Sequence, residues 1–375
     1  MAAMTATTAA AQPQFKVPRW SQALGGFVSR HRSLMLRLAR AESNALQDHL
    51  SLHPVQAPVY LCGLPRAGTT ILLEALSMHA DVGTHRYSDY PFVHLPYWWS
   101  RLAGHMPKSD APPIERAHGD RILVTPQSPE ALEESLWMSF FGHLHDAEQV
   151  QILDSFAKNP DFEAHYRAHV GKLLLARGKR RYVCKSSYNI ARMLYLRKIF
   201  PDARFVVAVR EPAAHVQSLM RQHARFTSAL TENVRDREHM KRIGQFAFGP
   251  DRSPINVGFS RDIVSLWAKG EEVRGWARYW ARIHGFVLRQ MQVTRQYDGA
   301  GMILRYEDFC ADPETQLRNV MDHAGLPATD TFIRAFATRV STPRGYEASF
   351  SDAERAIIAK ETGEIAKLLG YEAQT

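Results

Sequence analysis

Leu61-Cys62-Gly63-Leu64-Pro65-Arg66-Ala67-Gly68-Thr69-Thr70 joins an apolar run to an amphipathic one, which predicts a strand, a tight turn and the start of a helix. Gly63 and Gly68 keep the G-x-x-x-x-G spacing of a phosphate-cradling loop, in which glycines let backbone N–H groups point at an anion. Thr69 stands where an ATPase or GTPase carries lysine. The loop therefore implies a phosphate-bearing ligand other than an ordinary nucleoside triphosphate.

Outward from this loop the chain alternates. Residues 59–64 read as the strand before it and 69–79 as the helix after it. A second strand is expected over 182–186, with a helix over about 189–200. The third covers 204–209, where Phe205 to Val209 are all apolar, and Pro212 opens another helix at its favoured first-turn position. A last short strand over 302–305 runs into Tyr306-Glu307-Asp308, with a helix after Pro313. Short apolar strands alternating with helices predict an α/β fold, P-loop-like and three-layered, with a central parallel sheet flanked by helices. Ligands of such sheets bind beyond the carboxyl ends of the strands, so the loops after Leu64, Lys185 and Val209 converge on one site. Pro65, Arg66, Ala67, Gly68, Thr69 and Thr70 would present donors at a helix start, where the dipole favours negative charge. Thr69 and Thr70 read equally as helix caps. Lys185 adds an ammonium, and Arg210 with Ser218, about two turns into the next helix, offers a guanidinium and a hydroxyl to a second phosphate.

The segment Gly63 to Thr70 resembles the 5′-phosphosulfate loop of sulfotransferases that use 3′-phosphoadenosine 5′-phosphosulfate (PAPS). Val183-Cys184-Lys185-Ser186-Ser187, Phe200-Pro201-Asp202-Ala203-Arg204-Phe205, Val209-Arg210-Glu211-Pro212 and Gln217-Ser218-Leu219 resemble that family's 3′-phosphate region. Arg305-Tyr306-Glu307-Asp308 with Asp312-Pro313 resembles a third recurring segment, so the likeness covers most of residues 58–326. The middle block is similar to tyrosylprotein sulfotransferases and to bacterial sulfotransferases of carbohydrate modification.

The resemblance implies in-line transfer of a sulfonate from PAPS to an acceptor hydroxyl, without a metal, with Arg66 and Lys185 stabilising charge on the leaving phosphate. Ala67 departs from the pattern, since many members have serine there. Similar enzymes carry a catalytic Glu or His after the first helix, and the stretch Gly83-Thr84-His85-Arg86-Tyr87-Ser88-Asp89-Tyr90-Pro91 has no Glu. His85 is the first expectation for the base because imidazole ordinarily titrates near neutrality, followed by Asp89 and then Glu134, with Glu133 beside it. The expected acceptor is a saccharide or glycolipid hydroxyl, ahead of peptidyl tyrosine or a small phenol. The aromatic run over 87–99 and the charged segment 226–261 are the expected acceptor surfaces, the latter as a lid.

Composition sets bounds on this reading. The 375 residues are 45% hydrophobic and 23% charged, ordinary for a globular protein. Lys and Arg number 47 against 38 Asp and Glu, and the net charge of +9 favours a polyanionic ligand. A P-loop kinase should show Gly-Lys-Ser/Thr and a strand-terminal Asp, but Thr69 and Arg210 stand there. A basic nucleic-acid-binding protein would explain the charge, yet no helix-turn-helix, zinc or RNA-recognition pattern occurs. A non-catalytic nucleotide binder stays open. The three cysteines have no metal-ligand spacing and read as reduced thiols.

The expected organisation is a disordered leader over 1–17, a basic amphipathic helix over 18–53, and a sulfotransferase domain over 54–375 with acceptor-side insertions at about 84–140 and 226–262. Such a helix either packs on the domain or lies on a membrane surface. The expected location is the cytoplasm, with peripheral contact to the inner membrane face open.

Overall fold

Val59, Tyr60, Leu61 and Cys62 are without exception fully buried, and the sheet is built around them. In the computed structural model of the chain, residues 18–105, 112–116, 118, 122–293, 299–340 and 349–371 are described, the side chains of 292–293 excepted; the expected leader lies outside them. Among the described residues three helices precede the first strand: α1 (Arg19–Arg30), α2 (Arg32–Ala45) and α3 (Gln47–Leu52). The segment expected as one helix breaks at His31 and Leu46, which leave helical geometry; at His31 the parts on either side pack on different helices further along the chain.

Then follow β1 (Val59–Cys62), α4 (Thr69–Ser77), β2 (Val82–Gly83), α5 (Pro96–Ala103), β3 (Ile114–Glu115), β4 (Leu123–Val124), α6 (Glu134–Phe140), α7 (Pro160–Arg177) and β5 (Arg181–Lys185). The second half holds α8 (Met193–Ile199), β6 (Arg204–Val209), α9 (Pro212–Leu230), α10 (Val234–Arg242), α11 (Ser260–Ala268), α12 (Glu272–Val293), β7 (Gly301–Arg305), α13 (Tyr306–Ala311), α14 (Pro313–Ala324), α15 (Asp330–Ala337) and α16 (Asp352–Leu368). α1 packs on α10, and α2 and α3 pack on α7. No described helix is long and apolar enough to cross a membrane.

The main sheet has the order β2-β5-β1-β6-β7 with every pair parallel, while β3 and β4 form a separate antiparallel ribbon. β6 spans the residues expected for it, and its apolar letters follow from burial on both faces. Alternate residues go to opposite faces. Tyr60, Cys62, Tyr182, Cys184, Phe205 and Val207 pack with α7, α8, α9 and α12, and Val59, Leu61, Val183, Val206 and Ala208 pack with α4, α14 and α15. This is the three-layer arrangement. Trp276, Tyr279, Trp280, Ile283 and Val287 form the buried stripe of α12. β1 lies between β5 and β6, with Tyr60 opposite both Cys184 and Phe205, so the loops leaving these three strands share one edge.

Helix starts at that edge differ. On α9 the Glu211 carboxylate accepts the N–H groups of Ala213 and Ala214, with Pro212 in the first turn. α4 begins after Gly68, and no side chain caps it.

Candidate active site

The loop before α4 is held in one shape by contacts that explain its letters. Gly63 has φ +143°, and a Cβ there would stand 2.6 Å from the Ala208 carbonyl oxygen. Gly68 has φ +93°, and its Cβ would stand 2.6 Å from the Tyr306 ring. Neither position accepts a side chain without strain. Arg66 is itself left-handed at φ +74°, a conformation costing about 1–2 kcal/mol that its neighbours must offset. They do so from α9 and the end of β6. Arg210 Nη1 donates to the Arg66 carbonyl at 3.1 Å, Arg66 Nε donates to Ser218 Oγ at 3.3 Å, and His215 Nε2 donates to the Pro65 carbonyl at 2.8 Å. The Arg210 guanidinium also sits over the Tyr306 ring at 5.0 Å. Arg210 and Ser218 are thus brought to Arg66, buried behind the loop.

A cavity opens at the loop. Pro65, Arg66, Thr69 and Thr70 line it together with Lys185 to Tyr188, Arg116, His118, Glu130, Glu133 and Glu134, and the apolar Ile243, Ala247 and Phe248. Thr70 Oγ1 is the meeting point, accepting from Lys185 Nζ at 3.1 Å and from Arg116 Nη1 at 3.3 Å. Two cations therefore converge on the first turn of an uncapped helix, an arrangement suited to a phosphate or sulfonate. Ala67 takes no part in the cavity wall; it is buried in the cluster between the sheet and α4, so a missing hydroxyl there removes nothing from the wall.

Glu130 faces these cations, with Oε1 4.0 Å from Lys185 Nζ. Burial works to raise its carboxyl, but Lys185, the Tyr87 hydroxyl, the Ala131 N–H and Arg116 outweigh burial and hold it below the ordinary range, hence ionised. Its backbone N–H donates to the His85 carbonyl at 2.9 Å, next to a bridge between Arg86 and Pro129. The segment around His85 supports Glu130 from behind.

Of the residues expected as bases, His85 and Asp89 lie outside the cavity wall, whereas Glu133 and Glu134 line it with their carboxylates already engaged. His85 is 2% exposed, its Nδ1 3.2 Å from Asp89 Oδ2 and its Nε2 3.0 Å from His169 Nε2, so both ring nitrogens are engaged away from the cavity. Asp89 is closed in by His85 and Arg177; burial pushes its carboxyl up, and the His85 hydrogen bond with the His85 and Arg177 charges holds it below the ordinary range. Glu134 touches the cavity, but its carboxylate is bound by Arg192 at 2.7 and 2.8 Å and by His145 at 2.6 Å. Against burial, those two partners bring it down to about 2. The Glu133 carboxylate accepts from Tyr166, Tyr182 and Cys184. Glu130 is the carboxylate that the sequence reading missed. It lies in a stretch with no periodicity, Thr125-Pro126-Gln127-Ser128-Pro129-Glu130, and only its pairing with residues 85–86 delivers it.

The aromatic run over 87–99 does not line the cavity. Tyr90 packs against Gly25 of α1 and His239 of α10, Phe92 against Trp99, and Trp99 Nε1 donates to the Ser88 carbonyl at 2.8 Å. The segment after α10 does line it. Gly244, at φ +76°, lets that segment press onto Glu134, where a Cβ would overlap the glutamate side chain. Among the described residues no group of three or more His, Cys, Asp or Glu is placed to hold a metal ion.

The family model described as sulfotransferase family matches residues 58–247, just over half of the chain. The protein belongs to the sulfotransferase family. Two curated relatives, from Mycobacterium bovis and Mycobacterium tuberculosis, are both called omega-hydroxy-beta-dihydromenaquinone-9 sulfotransferase Stf3. Each is 25% identical over 206 residues, 53% of this chain and 43% of the relative, so the match spans less than half of the relatives' length. Among solved structures, sulfotransferase STF9 from Mycobacterium avium aligns at 16% identity over 89% of this chain and 82% of its own, with a TM-score of 0.49. STF1 from Mycobacterium tuberculosis aligns at 16% identity over 90% and 86%, with a TM-score of 0.46.

Proposed function

We propose that the protein transfers the sulfonate of PAPS to the hydroxyl of a lipid-borne acceptor, with Glu130 as the base. The observation that carries this is the Thr70 hydroxyl shared by Lys185 and Arg116 at an uncapped helix start, with the Glu130 carboxylate facing Lys185. Arg66, Thr69, Thr70, Lys185 and Arg116 are the groups to hold the phosphosulfate, and we assign Arg210 and Ser218 to the 3′-phosphate, a reading supported by the family resemblance of their segment. PAPS supplies an activated sulfonate with a phosphate leaving group. Lys185 and Arg66 neutralise the charge that the phosphate gains, and Glu130 accepts the proton that the acceptor hydroxyl loses.

The wall of Ile243, Ala247, Phe248 and Tyr188 supports an acceptor with an apolar portion, a glycolipid or other lipid alcohol over a free saccharide. The relatives' name, a sulfotransferase of a hydroxylated menaquinone, points the same way. We assign residues 54–375 to the catalytic domain, with 84–140 and 226–262 on the acceptor side. The unpaired, buried Cys62 and Cys184 favour the cytoplasm as its location, and contact with the inner membrane face fits the acceptor.

The test is calorimetric binding of 3′-phosphoadenosine 5′-phosphate (PAP), followed by transfer from labelled PAPS to lipid-linked saccharides, prenylated quinols, tyrosyl peptides and phenols. Glu130→Gln should lower kcat by about 10²–10⁴ with PAP still bound. If PAP does not bind, the assignment falls. Transfer to tyrosyl peptides alone would replace the lipid acceptor.

A further inference from the structure

We propose that the outer face of α1, continued by the start of α10, docks the protein onto an anionic lipid bilayer. Trp20 is 60% exposed and Phe27 is 42% exposed. They are seven residues apart in the chain, so they share one face of the helix, with the exposed Ala23 between them. The helix cannot roll to hide them, because its other face is committed. Ser21 and Gly25 are buried there, and the missing side chain of Gly25 admits Tyr90, whose ring an added Cβ would overlap.

Charge says what covers this face. α1 contains no acidic residue, and Arg19 and Arg30 are exposed at its two ends; the further arginines Arg32, Arg37 and Arg40 belong to α2, where Arg32 donates to the Met138 carbonyl and Arg40 lies 3.9 Å from Asp161. Exposed aromatic rings bordered by arginines fit the boundary between anionic headgroups and acyl chains: the rings enter the apolar zone and the guanidinium groups stay with the phosphates. A purely acidic, polar partner surface would satisfy the arginines and leave the rings in water.

The face is also joined to the cavity. Gln22 Nε2 donates to Asp236 Oδ1 at 2.6 Å, tying α1 to the start of α10, where Val234 is 64% exposed beside the exposed Arg235. The nine residues of α10 span about 13 Å and lead into Ile243 and Gly244 of the cavity wall. A bilayer on this face would lie near the cavity mouth, where a lipid-borne hydroxyl could enter. That delivery step rests on the proposed function, but the docking face does not.

The experiment is sedimentation of the full chain with vesicles of phosphatidylcholine alone or mixed with phosphatidylglycerol, alongside PAP calorimetry. The wild type should bind the anionic vesicles and not the neutral ones. Trp20→Ala/Phe27→Ala should weaken that binding by about tenfold or more. Arg19→Gln/Arg30→Gln should weaken it by about fivefold per arginine and flatten its dependence on salt. Neither pair touches the cavity, so PAP affinity should not change. The proposal is overturned if the wild type does not sediment with anionic vesicles, or if both double variants bind as the wild type does. It is also overturned if the chain dimerises through this face and Trp20→Ala/Phe27→Ala dissolves the dimer. Vesicle binding without PAP binding would keep the docking face and remove the proposed function.

Discussion

Glu134→Gln should make the protein easier to unfold while leaving turnover per folded molecule near that of the wild type. The carboxylate takes two hydrogen bonds from Arg192, at 2.8 and 2.7 Å, and one from His145 at 2.6 Å, among side chains 1 to 5% exposed. The amide keeps the shape and removes the charge, which leaves the Arg192 guanidinium buried without its counter-ion. Breaking a buried pair in this way costs about 3–5 kcal/mol. The titration of Glu134 gives a similar size: lowering its carboxyl from an ordinary 4.5 to about 2 corresponds to roughly 3 kcal/mol of native-state preference. Arg192 retains the Trp137 ring at 4.6 Å, which favours the lower end, about 3 kcal/mol. Because the folded value lies below the unfolded one, this contribution is complete above pH 4.5 and lost as pH falls toward 2. Urea unfolding of the wild type, Glu134→Gln, Arg192→Met and the double variant measures it, and the double variant should be less damaged than the sum of the singles by about 1–3 kcal/mol. A Glu134→Gln protein within about 0.5 kcal/mol of the wild type that has lost turnover would refute the argument and return Glu134 to the role of base.

Other perturbations test the loop, the N-terminal helices and the histidines. Gly68→Ala puts a Cβ 2.6 Å from the Tyr306 ring at φ +93°, and PAP affinity should fall by about tenfold or more; unchanged affinity would mean that the loop is not the phosphate site. Lys172→Met strands Glu42 in the interior, where the pair meets at 2.8 Å with neither side chain exposed, and should cost about 3–5 kcal/mol. Glu42→Gln/Lys172→Met should recover part of that loss in thermal melts. His94 and His165 lie 3.4 Å apart, and burial first, then the charges of Arg32 and Lys172 on His94 and of His94 itself, Lys172 and Arg40 on His165, lower them from 6.5 to about 3 and about 2. Their folded values lie below the unfolded one, so stability is full above pH 6.5 and declines as pH falls toward 3. His94→Asn/His165→Asn should flatten the fall in melting temperature between neutral and mildly acid pH, and an equal fall in both proteins would contradict it.

Where a residue's role is settled by its neighbours in the chain, the sequence by itself was sufficient. A strand buried on both faces must be apolar throughout, so β6 could be read to its ends, and a backbone turning through positive φ against Ala208 and Tyr306 needs the glycines at 63 and 68. The lysine-free loop, Lys185 beside it and the parallel sheet follow from such local constraints. The tertiary structure alone decided which of the cavity's carboxylates faces Lys185. His85 is claimed by His169 and Glu134 by Arg192, partners 84 and 58 positions away in the chain. Glu130 reaches Lys185 because an unpatterned stretch pairs with residues 85–86. The break between α1 and α2 was settled in the same way, by α10 and α7 offering separate surfaces to one amphipathic run. Hydrophobic periodicity records that a face is buried but not against what, and the direction of a polar side chain depends on long-range pairing that periodicity does not encode.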